Sequence, residues 1–323
     1  MDRRDFLTAA TALGVEIAFV VPTFAQSYPS RPIKIIVGNP PGGPTDIVAR
    51  IAGERLSLSL GQPVIIDNRP GGAGGTTGYK AVATMTPDGY TLLSAVPSLT
   101  VSPALYKNLG YEPIRSFAPV AMVASGTLIL TVSAAMPAKS VPELVAHTKA
   151  NPGKVHFGSP GYGTQAHLFG EFLKLRAGID MVHVPYRGSA VSDLLAGQIQ
   201  MMFEAGPTIL PLIEAGKLRA LAVTGEGRNP NMPDVPTMIE SGFPGLVARY
   251  WNGVLAPAGT PDSIVDKLNA AINEGLKSLD MQASLEKIGL EPTPMSPEEF
   301  AAFIAAETQK WATIVKEAGI KVD

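Results

Sequence analysis

The stretch Ile33-Lys34-Ile35-Ile36-Val37-Gly38-Asn39-Pro40-Pro41-Gly42-Gly43-Pro44-Thr45-Asp46 decides the fold. Its apolar, β-branched opening predicts a buried strand over Ile33–Val37, and its glycines and prolines predict a tight loop. Pro44 suits the first position of a helix. Residues 45–60 then carry Val48, Ile51, Ala52, Leu56 and Leu60 on one side at helical spacing. The same grammar returns at Val155-His156-Phe157-Gly158-Ser159-Pro160-Gly161-Tyr162-Gly163-Thr164-Gln165, followed by Leu168, Phe169, Phe172 and Leu173. Strand, glycine loop and helix thus occur once in each half of the chain.

Outward from these two anchors, further strands are predicted at Val64–Asp67, Thr91–Ala95, Val120–Val123, Leu128–Val132, Met181–Val184, Ile199–Phe203, Leu218–Val223 and Tyr250–Ala256. Helices alternate with most of them, which argues for an α/β fold with mainly parallel sheets covered on both faces. One βαβ series runs to about residue 125 and the other from Val155 to about Val223. The long apolar stretches 120–134 and 250–258 are the candidate strands crossing between two lobes. Lobe 1 is expected to comprise residues 26–126 plus 251–323, and lobe 2 residues 127–250. The tail from 261 to 319 is helical, with Ser296-Pro297 opening its last helix, and is expected to pack back on the first lobe.

Composition narrows the function. The 323 residues are 46% apolar and 17% charged, below the usual charged share of about 25%. Such a chain buries an ample core. Net charge is −2 and no Lys/Arg run could neutralise a phosphate backbone, so nucleic acid is not expected as a partner. There is no cysteine, which removes disulfides, thiol nucleophiles and thiolate metal sites, and with them a lipid-anchoring cysteine.

The first 25 residues read as an address. Arg3-Arg4 followed by Phe6-Leu7 resembles a twin-arginine export signal, Ala9 to Val21 is moderately apolar, and Thr23-Phe24-Ala25 offers a cleavage site before Gln26. The expected location is therefore the periplasm.

The two glycine loops are where an anion would bind. In a parallel sheet, ligands sit beyond the carboxyl ends of the strands. Glycines let the backbone approach closely, and the helix that follows brings free amides and about half a positive charge. A plain turn, with Thr45 or Asp46 capping the helix, is the structural alternative at the first loop. At the second, Ser159 and Thr164 supply hydroxyls and Tyr162 a possible wall. His167, one turn into the helix, either touches ligand or packs. Tyr186, in Val184-Pro185-Tyr186-Arg187-Gly188, is a candidate wall, and Arg187 a candidate carboxylate partner or a surface cation. Glu204 either binds an amine or water, or faces solvent. Trp251 is read as core or hinge packing. The run Arg69 to Gly78 lacks the spacing of a dinucleotide loop and more plausibly starts a helix at the cleft rim.

Catalytic signatures are missing. Ser159 lacks the glycine two residues before it that a nucleophile elbow requires, since Phe157 stands there. The histidines His147, His156, His167 and His183 show no metal-ligand spacing. No catalytic residue, metal or cofactor is expected. The alternative class is a periplasmic hydrolase or lyase acting on a small organic acid in the same cleft, with carboxylate pairs drawn from distant positions.

Taken together, Pro-Pro-Gly-Gly-Pro-Thr-Asp-Ile-Val-Ala-Arg (40–50), Asn-Arg-Pro-Gly-Gly-Ala-Gly-Gly (68–75), Pro-Asp-Gly-Tyr-Thr-Leu-Leu (87–93), Gly-Ser-Pro-Gly-Tyr-Gly-Thr-Gln-Ala-His-Leu (158–168), Val-Pro-Tyr-Arg-Gly (184–188), Leu-Ala-Val-Thr (221–224) and Ala-Pro-Ala-Gly-Thr-Pro (256–261) resemble the periplasmic receptors of tripartite tricarboxylate transporters, the Bug or TctC family. The resemblance implies a two-lobed periplasmic-binding-protein (Venus flytrap) fold with two crossing strands. It implies a small organic carboxylate held in the interlobe cleft and delivered to membrane permease subunits by a monomeric receptor. Gly42, Gly43 and Asp46 fall on the family's first-loop positions, and Ser159, Gly163 and Thr164 on its second-lobe contacts. Gln200, where an aspartate is common, and Thr77-Gly78 depart from the pattern. The full set of expected ligand-binding residues is Asn39, Gly42, Gly43, Asp46, Ser94, Ser159, Tyr162, Gly163, Thr164, His167, Tyr186 and Glu204.

Overall fold

The structure, a computed structural model, describes residues 28–320. The export signal read at residues 1–25 lies outside the described residues. The chain forms β1 (Ile33–Val37), α1 (Pro44–Leu60), β2 (Val64–Asn68), α2 (Thr76–Ala83), β3 (Thr91–Ala95) and a short α3 (Ser98–Val101), then the long β4 (Phe117–Ser133). After it come α4 (Val141–Ala150), β5 (Val155–Ser159), α5 (Gln165–Ala177), β6 (Met181–Pro185), α6 (Val191–Leu195), β7 (Met201–Ala205), α7 (Gly206–Glu214) and β8 (Leu218–Val223). The return strand β9 (Arg249–Pro257) leads to α8 (Asp262–Leu276), α9 (Leu279–Glu286), β10 (Glu291–Pro292) and α10 (Pro297–Ala318).

β2, β1 and β3 run parallel, and β9 lies antiparallel beside β3. β5 likewise runs parallel to β6 and β7. The two parallel groups are joined by β4. Its first part, Phe117 to Thr127, pairs with β9, whereas from Leu128 onward it pairs with β7 and β8. The runs expected at Val120–Val123 and Leu128–Val132 are therefore one strand. Ala124 to Thr127 stay extended because each finds a partner on β9 between Asn252 and Arg249. The strand expected at Ile199–Phe203 starts instead at Met201. The amides of Gln198 and Ile199 both turn back to the Asp193 carbonyl, which ends α6 and delays the strand.

The tail packs on the first half, as its apolar spacing suggested, but α10 reaches further. Trp251 meets Phe300 edge-on at 5.8 Å, and a Cβ at Gly253 would lie 2.2 Å from the Phe300 ring, so only glycine lets α10 seat there. One face further along, Trp311 meets Phe169 of α5 at 6.3 Å, so the same helix touches the second half as well. Trp251 is a core residue, wholly buried. No helix among the described residues is long and apolar enough to cross a membrane.

Candidate ligand-binding cleft

The loops after β1 and β5 lead into helices α1 and α5, and both open into one cavity of about 350 Å³. That is the lower end of the range for small-molecule sites. The halves touch around its mouth. Ser102 Oγ donates to the Gly163 carbonyl at 3.4 Å, and a Cβ at Gly74 would stand 3.1 Å from Thr164 Cγ2. On the other side a Cβ at Gly188 would stand 3.1 Å from the Pro40 ring. The cleft is in a closed arrangement.

At the first loop Gly43 is the N-cap of α1 and no side chain caps it. Pro44 has no amide hydrogen to lose, so the first-turn amides of Thr45 and Asp46 lack intrahelical partners by position. Asp46 does not cap; it braces. Its carboxylate, 3% exposed, accepts from the Gly42 amide at 2.9 Å, from Arg50 Nε at 2.9 Å and from Asn68 Nδ2 at 3.0 Å. Asn68 Nδ2 also reaches the Asn39 carbonyl at 3.1 Å. Burial opposes the charge on Asp46, but the bonds from Arg50, Gly42 and Asn68 outweigh it and hold the carboxyl below its ordinary pKa. Behind the loop, a Cβ on Gly38 would fall 2.4 Å from the Gly75 carbonyl. The glycine run before α2 therefore permits close loop packing at the rim.

At the second loop Thr164 is the N-cap of α5. Its Oγ1 donates to the Gly161 carbonyl at 2.7 Å and accepts from the His167 amide at 3.3 Å. The amides of Gln165 and Ala166 remain at the cavity wall without intrahelical partners by position. Ser159 is wholly buried and its Oγ lies 2.7 Å from His183 Nε2, while also serving Gly161. This Ser–His pair holds the loop's shape rather than facing the cavity. The His167 and His183 rings lie tilted to one another at 4.4 Å with the Tyr162 ring edge against both. Burial, with Lys174 adding to it, pushes His167 down to about 4; burial, then His167 and Lys174, push His183 down to about 3. Both rings are neutral at physiological pH.

Of the residues expected to bind, Asn39, Gly42, Gly43, Thr164 and Glu204 line the cavity. The others do not. Asp46, Ser159, Gly163 and His167 stand behind the wall as braces. Ser94 shares hydrogen bonds with Asn252 between β3 and β9, and the Tyr186 hydroxyl donates to Asp193 at 2.6 Å. Tyr162 leans outward, 43% exposed. Gln200 braces β5, accepting from the His156 amide. The wall also contains residues not expected from the sequence: Thr45, Ser98, Leu128, Gln165, Ser189 and Tyr250 among them. Ser98 and Ser189 follow the C-terminal ends of β3 and β6, so the strand-end rule applied to every parallel strand would have found them. Tyr250, on the crossing strand, gives no such signal.

Among the described residues lining the cavity none is Lys, Arg or His. Its ionisable groups are Glu204 and Tyr250. Glu204 is 5% exposed; burial raises its pKa to about 7, with the Ala205 amide at 3.0 Å and the Ser189 hydroxyl at 3.4 Å opposing the shift. Neutral amides, not cations, are what this pocket offers an anion. Among the described residues no cluster of three or more His, Asp or Glu stands ready for a metal.

Residues 48–320 match the family described as the tripartite tricarboxylate transporter family receptor, TctC. The chain belongs to that family. Protein BugT of Bordetella pertussis is 41% identical over 317 residues, covering 96% of this chain and 97% of its own. Solved structures agree in fold: Rpa4515 of R. palustris with adipate has a TM-score of 0.88 at 35% identity, covering 91% of this chain and 99% of that one. MatC (Rpa3494) from Rhodopseudomonas palustris with bound malate has 0.85 at 32%, covering 89% and 100%. The protein is a periplasmic solute-binding receptor of the TctC type, with the two-lobed α/β fold of that family.

Proposed function

We propose that this TctC receptor captures a small organic carboxylate between its two helix N-termini, does no chemistry on it, and delivers it to membrane permease subunits. The observation that carries this reading is the convergence of α1 and α5, one from each half, on a single cavity without cationic side chains. Unpartnered first-turn amides at each helix suit an anion by hydrogen bonding and by the helix dipole. The adipate and malate bound to the two relatives are small carboxylates of a size such a cavity accepts. Residues 26–126 with 251–323 form one closing body and 127–250 the other, β4 and β9 being the hinge strands. Ligand contacts that exist only when both halves meet favour the closed state. Residues 1–25 direct export through the twin-arginine route and are removed.

The test is calorimetric titration of a carboxylate panel, followed by recovery of the ligand. One-to-one uptake of an acid recovered chemically unchanged supports the receptor. Conversion of the acid to product, which the hydrolase or lyase alternative requires, overturns it.

A further inference from the structure

The cavity is built for an anion, yet it contains a buried carboxyl with no cation beside it. Glu204 is the penultimate residue of β7, and its two oxygens have capacity for about four hydrogen bonds. Among the described residues only the Ala205 amide and, at a long 3.4 Å, the Ser189 hydroxyl use it. A second acceptor stands in the same wall. Gln165 is 4% exposed, and its Nε2 donates to the Arg249 carbonyl at 3.1 Å, which fixes the amide's orientation. Its Oε1 is buried without a partner among the described residues. Tyr250, 7% exposed and also in the wall, has a buried hydroxyl beside Thr45 and Asn252 that makes no well-formed hydrogen bond. Buried acceptors left without donors are costly unless a bound molecule supplies them.

We infer that Glu204 and Gln165 select, among small carboxylates, those that also carry a hydrogen-bond donor, an ammonium or a hydroxyl group. The helix amides take the ligand's carboxylate, and the acceptor pair takes its donor. Above about pH 7, where Glu204 is ionised, a plain dicarboxylate brings a second anionic end beside its carboxylate and leaves both acceptors unfilled. This inference rests on the carboxylate-receptor reading above and narrows it to amino and hydroxy acids.

The experiment uses matched pairs at about pH 8.5, where Glu204 is ionised: L-aspartate and L-malate, each against succinate, titrated calorimetrically into the wild-type protein, Glu204→Gln and Glu204→Leu, with thermal unfolding checking that each variant is folded. The wild type is expected to bind at least one donor-bearing acid about tenfold or more tighter than succinate, since a site built to hydrogen-bond a group rejects analogues lacking it. Glu204→Leu is expected to bring that ratio to about threefold or less, and Glu204→Gln to reduce the aspartate preference more than the malate preference. Equal wild-type affinity for succinate, or a preference that survives Glu204→Leu, overturns the inference and leaves the receptor reading standing. If Glu204→Leu does not fold, an undiminished aspartate preference in Glu204→Gln overturns it alone. No binding of any of the three acids up to about 1 mM by the wild type overturns it together with its premise.

Discussion

Replacing Asp46 by alanine separates two roles that a binding assay alone would merge. The side chain does not line the cavity, so its loss is expected to act through the loop. Three bonds go with it, to the Gly42 amide, Arg50 and Asn68. A hydrogen bond to a charged group contributes about 1.5–3 kcal/mol. The Arg50 side chain is 54% exposed, so its pair with Asp46 contributes about 0–1 kcal/mol. Gly42 is exposed and regains water, and Asn68 keeps the Asn39 carbonyl. The expected loss of folding stability is therefore about 1.5–4 kcal/mol, not the sum of all three bonds. The freed loop must also be reordered on binding, at about 1–2 kcal/mol per residue for one or two residues. That converts to a Kd raised about fivefold to several-hundredfold. Urea unfolding measures the first quantity and calorimetric titration of a bound acid the second. Asp46→Asn, which keeps an acceptor, should fall between. A stability loss of this size with unchanged affinity would refute the claim that the braced loop presents the anion-binding amides.

Further expectations follow from neighbouring groups. The carboxyl of Glu204 is raised to about 7 in the folded protein, so the native state holds the extra proton between about pH 4.5 and 7 and wild-type stability falls as pH rises through that window. Glu204→Gln should then be the more stable protein above pH 7, by up to about 3 kcal/mol, with no difference below about pH 4.5, read from urea midpoints across pH. His167 and His183, depressed to about 4 and about 3, act in the opposite sense. Here the unfolded chain binds the protons, so stability falls as pH drops below about 6.5. His167→Phe should make that decline shallower by about one proton between pH 6.5 and 4, and an unaltered slope would contradict the assignment. Gly188→Leu places a side chain where Pro40 closes on it. Its Kd should rise about tenfold or more while the ligand-free unfolding midpoint stays put, because only the closed state meets the wedge.

Much of the fold was legible because strand and helix periodicity repeat around the two glycine loops. Ile33 to Val37 and Val155 to Ser159 are strands, and each leads through its loop into the helix expected. The crossings were visible as long apolar runs, although the continuity of β4 depends on β9 supplying partners to Ala124 and Gly126, which local sequence does not encode. The site was legible only as loops. Backbone groups carry the proposed anion contacts, and several of the side chains noted at those loops shape them instead of lining the cavity. Asp46, Ser159 and His167 are polar residues bound inward, and nothing in one-dimensional spacing distinguishes a brace from a ligand contact. Tyr250 and Gln165 come to the cavity through the β4–β9 crossing and the start of α5, a juxtaposition made only in three dimensions.

A crystal structure with a bound organic acid tests the central claim most directly. The account predicts a ligand carboxylate oxygen about 2.7–3.2 Å from the Thr45 or Asp46 amide, with the same molecule also reaching the first turn of α5. A carboxylate paired instead with an arginine or lysine outside this cavity, with the two helix ends left empty, would contradict it.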